Sequence, residues 1–140
     1  MIRILIVDDS PTEIAIIKQI LSAADDFEIV GIAHNGKEAI GLTARLRPDL
    51  ITMDIQMPIM DGLQATRIIM DQYPTPIVII SATISDESVS ATFPILEAGA
   101  LTAITKPGNI FASNFTERKQ YIIDTLRSLA EIQLIKIPGR

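Results

Sequence analysis

The chain has 140 residues, enough for one domain with a single hydrophobic core and too few for two. Seventeen acidic and twelve basic residues give a formal net charge of -5, which argues against a nucleic-acid backbone or an anionic membrane surface as the main partner. Cysteine is absent, and this excludes disulfides, thiolate metal sites and cysteine catalysis. The sequence shows no signal peptide and no apolar run long enough to span a bilayer, so we expect a cytoplasmic protein.

Short apolar runs alternate with longer amphipathic ones along the chain. The short runs consist almost entirely of Ile, Val, Leu and Ala, which is typical of parallel strands covered on both faces. Five strands are predicted in this way: Ile2–Val7, Glu28–Ala33, Leu50–Met53, Ile77–Ile80 and Leu101–Ile104. Strands that alternate with helices in so short a chain predict an α/β, doubly wound sheet.

The helical segments between the strands are marked by capping residues. Ser10-Pro11-Thr12-Glu13 has the residue order of a capping box, with a Pro at the first helical position. Three later helix starts carry related signals: Asn35 with Glu38, Asp61 with Gln64, and Asn114 with Glu117. Gly99 predicts the end of the fourth helix. Pro94 lies inside the segment Glu87–Ala98 and predicts a kink or a late start there.

The last helix is predicted from Asn114 to about Gln133. Its inward-facing residues are expected to be Ile122, Leu126, Leu129 and Ala130. Beyond this helix the chain is apolar from Leu134 and is then interrupted by Pro138-Gly139, as at the start of a linker. We therefore expect one domain over residues 1–133 and a linker or C-terminal tail over residues 134–140.

Polar residues follow four of the predicted strands at their carboxyl ends, where open parallel sheets collect functional groups. The first strand runs into Asp8 and Asp9, the third into Asp54, the fourth into Ser81 and the fifth into Lys106. Each residue alone has an ordinary explanation, since such residues support helix dipoles and turns. Their joint placement at one edge predicts a site with three carboxylates, a hydroxyl and an ammonium group.

The order and spacing of these motifs resemble those of response-regulator receiver domains. The matching segments are Asp8-Asp9-Ser10, Asp49–Pro58 with Met60-Asp61-Gly62, Ser81-Ala82, Gly99-Ala100 and Thr105-Lys106-Pro107, within about residues 1–130. The segment Asp49–Pro58 and the Ile-Thr-Lys-Pro ending are most similar to the receiver of chemotaxis protein-glutamate methylesterases. The resemblance implies a flavodoxin-like, five-stranded parallel sheet of order 2-1-3-4-5 with helices on both faces.

The resemblance also assigns roles in a phosphorylation reaction. Asp54 would be the phosphoacceptor, attacking a phosphohistidine donor or a small acyl phosphate. Lys106 would supply a positive charge to one phosphoryl oxygen, and Ser81 would donate a hydrogen bond to another. Pro107 would follow a cis peptide bond that turns the lysine inward.

A Mg²⁺ ion is the cofactor that the resemblance implies. Its ligands would be Asp9, Asp54 and the backbone carbonyl of Gln56, with Asp8 contributing through water. Oxygen ligands without His or Cys suit this cation, and crowded carboxylates need a positive charge among them.

The resemblance predicts a phospho-accepting receiver of a two-component phosphorelay. Its partners would be a histidine kinase and either an output domain or a separate protein, with neither nucleic acid nor membrane, and phosphorylation could drive dimerisation. The alternative is the regulatory N-terminal fragment of a chemotaxis protein-glutamate methylesterase whose catalytic domain is absent from this chain. Beyond self-phosphorylation from a donor and autodephosphorylation, we expect no independent catalytic output, since no Gly-x-Ser-x-Gly motif is present.

Two other functions on the same topology match the residues less well. A flavodoxin-like electron carrier needs hydroxyls and backbone amides for the flavin phosphate, whereas the loop after the first strand is acidic. An aspartate-nucleophile phosphatase needs Asp-x-Asp, which Asp54-Ile55-Gln56 does not supply.

Ala103 departs from the receiver pattern. It stands three residues before Lys106, where receivers commonly carry a Tyr or Phe that changes rotamer on phosphorylation. Alanine has no side-chain rotamer to exchange. We therefore expect the phosphorylation chemistry to be retained and the signal to pass through Ser81 and the loop Ala82–Asp86.

Overall fold

The computed structural model describes residues 1–82, 89–108 and 110–132, with residues 89–93 described by their backbone alone. Strands and helices alternate throughout these ranges. The strands are β1 (Ile2–Val7), β2 (Phe27–Ala33), β3 (Leu50–Met53), β4 (Ile77–Ser81) and β5 (Thr102–Thr105). The helices are α1 (Pro11–Ser22), α2 (Gly36–Leu46), α3 (Gly62–Gln72), α4 (Val89–Ala98) and α5 (Phe115–Ala130).

The strands form one parallel sheet in the order β2-β1-β3-β4-β5, which confirms the predicted topology. The predicted strand boundaries agree with the observed ones to within one residue. Because all strands run in the same direction, their carboxyl ends share one edge of the sheet. The register pairs Val7 with Met53 and Ser81 with Thr105, so the residues that follow these four positions are brought together.

Helices cover both faces of the sheet, and a separate apolar cluster fills each face. The cluster under α1 and α5 includes Ile6, Ile17, Leu50, Ile80 and Leu126. The cluster under α2, α3 and α4 includes Leu5, Ile51, Ala65, Ile77 and Ile95. Burial on both faces explains why the strands lack polar alternation. Each fully buried Ile or Leu side chain contributes about 1.5–3 kcal/mol, so the two clusters hold the strand ends rigidly.

Three helices are capped as predicted, each in a loop at the carboxyl edge of the sheet. In each case, the side-chain oxygen of the N-cap residue accepts a hydrogen bond from the backbone N–H three residues later. The pairs are Ser10 with Glu13 (3.3 Å), Asn35 with Glu38 (2.9 Å) and Asp61 with Gln64 (2.8 Å). A cap of this kind stabilises a protein by about 1 kcal/mol.

Two predicted capping features are wrong. The Glu13 carboxylate does not complete the capping box, because the Ser10 N–H donates instead to Asp8 Oδ1 at 2.9 Å. Asn114 precedes α5 but makes no side-chain capping hydrogen bond. Its backbone (φ -96°, ψ 9°) lacks the extended conformation that the other N-cap residues have.

The end of α4 follows the prediction. Gly99 has φ +114°, and its N–H donates to Leu96 O at 3.0 Å. A Cβ at Gly99 would also lie 2.7 Å from Met70 Cγ, so both conformation and space favour glycine. Pro94 lies inside α4, which is described from Val89 onward. The predicted start at Glu87 lies outside the described residues.

The last helix, α5, places Ile122 and Leu126 in the core, as predicted, while Leu129 and Ala130 are partly buried against it. It ends at Ala130, and the predicted linker, residues 134–140, lies outside the described residues. Within the described part of the chain, no helix is both long and apolar enough to cross a bilayer.

Gly62, the first residue of α3, lies directly against the end of β3. A Cβ at this position would overlap the backbone carbonyl oxygen of Asp54 and lie 3.0 Å from Met53 Cγ. The Gly62 N–H also donates to Ile55 O at 2.7 Å. The chain therefore folds back on itself at a distance that only glycine allows, and this contact fixes the backbone of Asp54.

We expect Gly62→Ala to lower the free energy of unfolding by about 1–3 kcal/mol, because the added methyl must displace backbone. The matched control is Gly41→Ala in α2, where an added Cβ meets nothing within 4 Å. The control should raise stability by about 0.5–1 kcal/mol through helix propensity. Urea unfolding of both variants measures the difference. Equal effects of the two substitutions would contradict the close packing at Gly62.

Candidate functional site

Asp8, Asp9 and Asp54 meet at the carboxyl edge of the sheet, as predicted. One carboxylate oxygen from each lies within 4.8 Å of the others. The parallel ladder continues beyond the strands to hold two of them: the Asp8 N–H donates to Ala33 O at 3.0 Å, and the Asp54 N–H donates to Val7 O at 2.9 Å. Asp8 and Asp54 are buried and Asp9 is exposed.

Lys106 brings the positive charge that the sequence predicted. Its Nζ lies 3.1 Å from Asp8 Oδ2 and 3.4 Å from Asp54 Oδ2, and its side chain is 10% exposed. The Lys106 backbone N–H donates to Ser81 O at 3.2 Å, which ties the end of β5 to the end of β4. Lys106 thus forms ion pairs with two carboxylates at once.

The predicted cis peptide bond before Pro107 is wrong. The described part of the chain contains no cis peptide bond, so Lys106 and Pro107 are joined in the trans form. Lys106 reaches Asp8 and Asp54 in this form.

Burial and the neighbouring charges shift the pKa values of both Asp54 and Lys106. Burial and the neighbouring Asp8 carboxylate raise the pKa of Asp54, against the opposing effects of Lys106 and of the Ile55 N–H, which donates to Asp54 Oδ1 at 2.9 Å. Burial disfavours the charged form of Lys106, but Asp54 and Asp8 outweigh it, and the pKa of Lys106 is raised. The lysine therefore stays charged, while the ionised form of Asp54 is destabilised.

The remaining predicted site residues are placed at or near this edge. Ser81 ends β4, is 1% exposed and lies next to Lys106 through the backbone hydrogen bond described above. Gln56 is exposed in the loop that follows Asp54. Ala103, on β5, pairs with Ile79 of β4 and packs against the apolar cluster under α2, α3 and α4. The predicted signalling loop after Ala82 lies outside the described residues.

The donor set fits a hard divalent cation. Asp8 Oδ2 is buried, and the positive charge that faces it is Lys106 Nζ at 3.1 Å. A buried carboxylate oxygen without a hydrogen bond is costly unless a positive charge faces it. The three carboxylates offer oxygen ligands, and these are the ligands that Mg²⁺ prefers.

Glu13 is a further negative charge that raises the pKa of Lys106, and the sequence pattern did not reveal it. Its position predicted a capping box, but the carboxylate is not used in the cap, and its Oε2 is buried without a hydrogen bond among the described residues. The available signal was its place in the first turn of the helix that begins at the acid pair.

Residues 4–112 match the family model of the response regulator receiver domain. A protein-glutamate methylesterase/protein-glutamine glutaminase from Methanospirillum hungatei is 42% identical over 136 residues, which are 97% of this chain and 39% of that protein. The chain thus spans well under half the length of this relative.

Solved structures show the same likeness. The response regulator domain of CheB from Thermotoga maritima is 31% identical, with a TM-score of 0.84 over 96% of this chain and 99% of that chain. A chain of the CheX-CheY-BeF3-Mg+2 complex from Borrelia burgdorferi is 29% identical, with a TM-score of 0.70 over 86% of this chain and 88% of that chain. With its parallel sheet of order 2-1-3-4-5 and its acidic edge, this chain belongs to the response regulator receiver domain family.

Proposed function

We propose that this domain accepts a phosphoryl group on Asp54 from a histidine kinase, with Mg²⁺ as cofactor, and thereby switches an output. One observation carries the proposal: a buried carboxylate, Asp54, faces the Lys106 ammonium at 3.4 Å with two further carboxylates within 4.8 Å. A structural ion pair needs one carboxylate, whereas phosphoryl transfer with a metal needs several.

Asp54 is the best placed of the three carboxylates to act as nucleophile. Asp8 is 1% exposed, and its Oδ1 is already bonded to the Ser10 N–H. Asp9 is exposed, in keeping with a ligand of a partly hydrated metal. Asp54 is 7% exposed, and its two oxygens have different surroundings: Oδ1 accepts from the Ile55 N–H and Oδ2 faces Lys106. Asp54 is thus more exposed than Asp8 and has the Lys106 ammonium 3.4 Å from one of its oxygens.

In the proposed reaction, an Asp54 oxygen attacks the phosphorus atom of a phosphohistidine. A phosphorus–oxygen bond forms, the phosphorus–nitrogen bond breaks, and its electron pair remains on the imidazole nitrogen. The Lys106 ammonium then pairs with one phosphoryl oxygen, and the Ser81 hydroxyl donates a hydrogen bond to another. A Mg²⁺ ion held by Asp9, Asp54 and the Gln56 carbonyl, with Asp8 bound through water, would offset the repulsion between phosphoryl group and carboxylates.

The output is proposed from the relatives. Similarity to a methylesterase/glutaminase over 97% of this chain favours a receiver that regulates such a catalytic domain. A freestanding receiver that switches a separate partner, including by phosphorylation-dependent dimerisation, is the other candidate. A reading frame that continues past Arg140 into a catalytic domain would favour the first, and residues 134–140 would then be the linker. Either role belongs in the cytoplasm, and neither requires nucleic acid or membrane.

Incubation with acetyl phosphate and Mg²⁺ should add one phosphoryl group to the protein, as read by intact mass. The adduct should be absent from Asp54→Asn and after chelation of the metal, because both remove part of the site. Asp71→Asn, an exposed carboxylate in α3, serves as the matched control and should be labelled like the parent protein. A labelled Asp54→Asn variant, or labelling that persists without metal, would show that the nucleophile or the cofactor is wrongly assigned.

The raised pKa of Asp54 has a consequence for stability. Its unfolded-state value is 3.8, so between pH 3.8 and the raised native value the folded state binds more protons than the unfolded state. Stability due to this group is therefore lost as pH rises through that window. Above it, the ionised carboxylate opposes folding.

Asp54→Asn should therefore raise the melting temperature at pH 7 in the absence of Mg²⁺. We expect an increase of about 3–5 °C, which corresponds to ~1 kcal/mol in a domain of this size. The gain should disappear below pH 3.8, where Asp54 is protonated in both states. Thermal unfolding monitored by circular dichroism across this pH range is the measurement. A gain that is the same at every pH would rule out charge as its cause.

A further inference from the structure

The loop that joins β3 to α3, residues 55–61, is closed by a hydrogen bond at its base. The Ile55 carbonyl accepts this bond from the Gly62 N–H at 2.7 Å. Gln56, whose carbonyl belongs to the proposed metal site, is exposed in this loop. The residues on either side of it, Ile55 and Met57, are partly buried against the apolar cluster under α2, α3 and α4. The backbone at Gln56 is therefore anchored from both sides.

A contact with the start of α2 holds the second half of the same loop. The N–H of Gly36, the first residue of α2, has no partner within its own helix and donates to Met60 O at 2.9 Å. A Cβ at Gly36 would lie 2.8 Å from both the carbonyl oxygen and the Cγ of Met60, and 2.9 Å from Ala65 Cβ. The Gly36/Met60 contact therefore joins the loop to α2 at a distance that leaves no room for a side chain.

The backbone of Ile59 shows that the loop is held against its own preference. Its φ is +72°, which is unfavourable for a β-branched residue. The Met60 N–H donates to Pro58 O at 2.8 Å and closes a three-residue turn around Ile59, a kind of turn that is rare and strained at positive φ. The Ile59 side chain is 79% exposed, so its own packing does not impose this conformation. Such strain persists only where the surrounding structure fixes the backbone, as the Gly36/Met60 contact does.

We propose that Gly36 and Met60 are positioning residues whose contact makes the site select Mg²⁺ over Ca²⁺. This inference rests on the proposed function, because it requires that the Gln56 carbonyl bind the metal. The three carboxylates offer oxygen ligands that suit either cation. Neither Gly36 nor Met60 is a ligand, and both act through the position of the loop that carries Gln56.

The two cations differ in how strictly they require the position of a ligand. Mg²⁺ needs a near-ideal octahedral shell with oxygens at about 2.0–2.1 Å, whereas Ca²⁺ accepts a flexible shell at about 2.3–2.6 Å. A carbonyl on a rigid loop therefore favours Mg²⁺, and a carbonyl that can shift removes this advantage. A contact with only a structural role would instead affect the binding of both cations equally.

The decisive variant is Gly36→Ala, because its added methyl must displace Met60 and with it the loop. We expect the Kd for Mg²⁺ to rise about tenfold and the Kd for Ca²⁺ to rise by about twofold or less, both measured by isothermal titration calorimetry with the metal alone. The matched control is Gly31→Ala in β2, where a Cβ would lie 2.9 Å from Leu46 Cδ1 at the other end of α2. This control should lower the melting temperature and leave both constants within about twofold of wild type.

Met60→Ala loosens the same contact without crowding α2. It should raise the Kd for Mg²⁺ about threefold and leave that for Ca²⁺ unchanged. Its matched control is Met70→Ala, which removes a methionine of α3 that packs against the same apolar cluster but lies against Gly99. Met70→Ala should leave both constants unchanged, and this pair decides the question if Gly36→Ala does not fold.

Three results would overturn this inference: wild-type protein that binds Mg²⁺ and Ca²⁺ with equal affinity, constants for the two cations that rise equally in Gly36→Ala, or a Mg²⁺ constant that is the same in Met60→Ala and Met70→Ala. Each of them would leave the proposed phosphorylation standing, since the wild-type protein would still bind Mg²⁺. Wild-type protein that binds no Mg²⁺ would instead refute the proposed function, and the inference with it.

Discussion

Mutual repulsion among the carboxylates at the carboxyl edge of the sheet is the constraint around which the site is built. Asp8, Asp9 and Asp54 bring oxygens within 4.8 Å of one another, and in the described part of the chain Lys106 is the ammonium paired with two of them. Burial and the neighbouring Asp8 carboxylate raise the pKa of Asp54 even though the Lys106 ammonium lies beside it. The fold thus holds an unfavourable interaction that a divalent cation would relieve, and the proposed activity would come at a cost in stability.

Such repulsion is tolerated because the backbone holds the two buried aspartates, Asp8 and Asp54, in place. The Asp8 and Asp54 N–H groups extend the parallel ladder by one residue, and Gly62 packs against the Asp54 carbonyl. The apolar clusters on the two faces of the sheet keep the strand ends from spreading apart. Moving the backbones of Asp8 and Asp54 apart would require breaking the sheet, so these two residues stay close together.

The opposite edge of the sheet is also held firmly, which bears on how a signal leaves the domain. Arg127, in the last turn of α5, donates two hydrogen bonds to Asp26 at 2.7 and 2.9 Å and lies over the Phe27 ring. These contacts tie the last turn of α5 to the start of β2. Ala103 has no ring to move on β5, so an output would depend on changes around Ser81 and Lys106 rather than on an aromatic side chain.

Local signals in the sequence determined the strands, the caps at Ser10, Asn35 and Asp61, and the polar residues at the strand ends, because periodicity and capping act over a few residues. The motif order indicated the family and, through it, the strand order. Contacts between distant segments were decided only by the tertiary structure. The Lys106 ion pair with Asp8, the overlap that forbids a side chain at Gly62 and the buried Glu13 oxygen depend on how the strand-end loops converge. The predicted capping box at Ser10 is incomplete, because the Ser10 N–H donates to the Asp8 carboxylate and not to the Glu13 carboxylate.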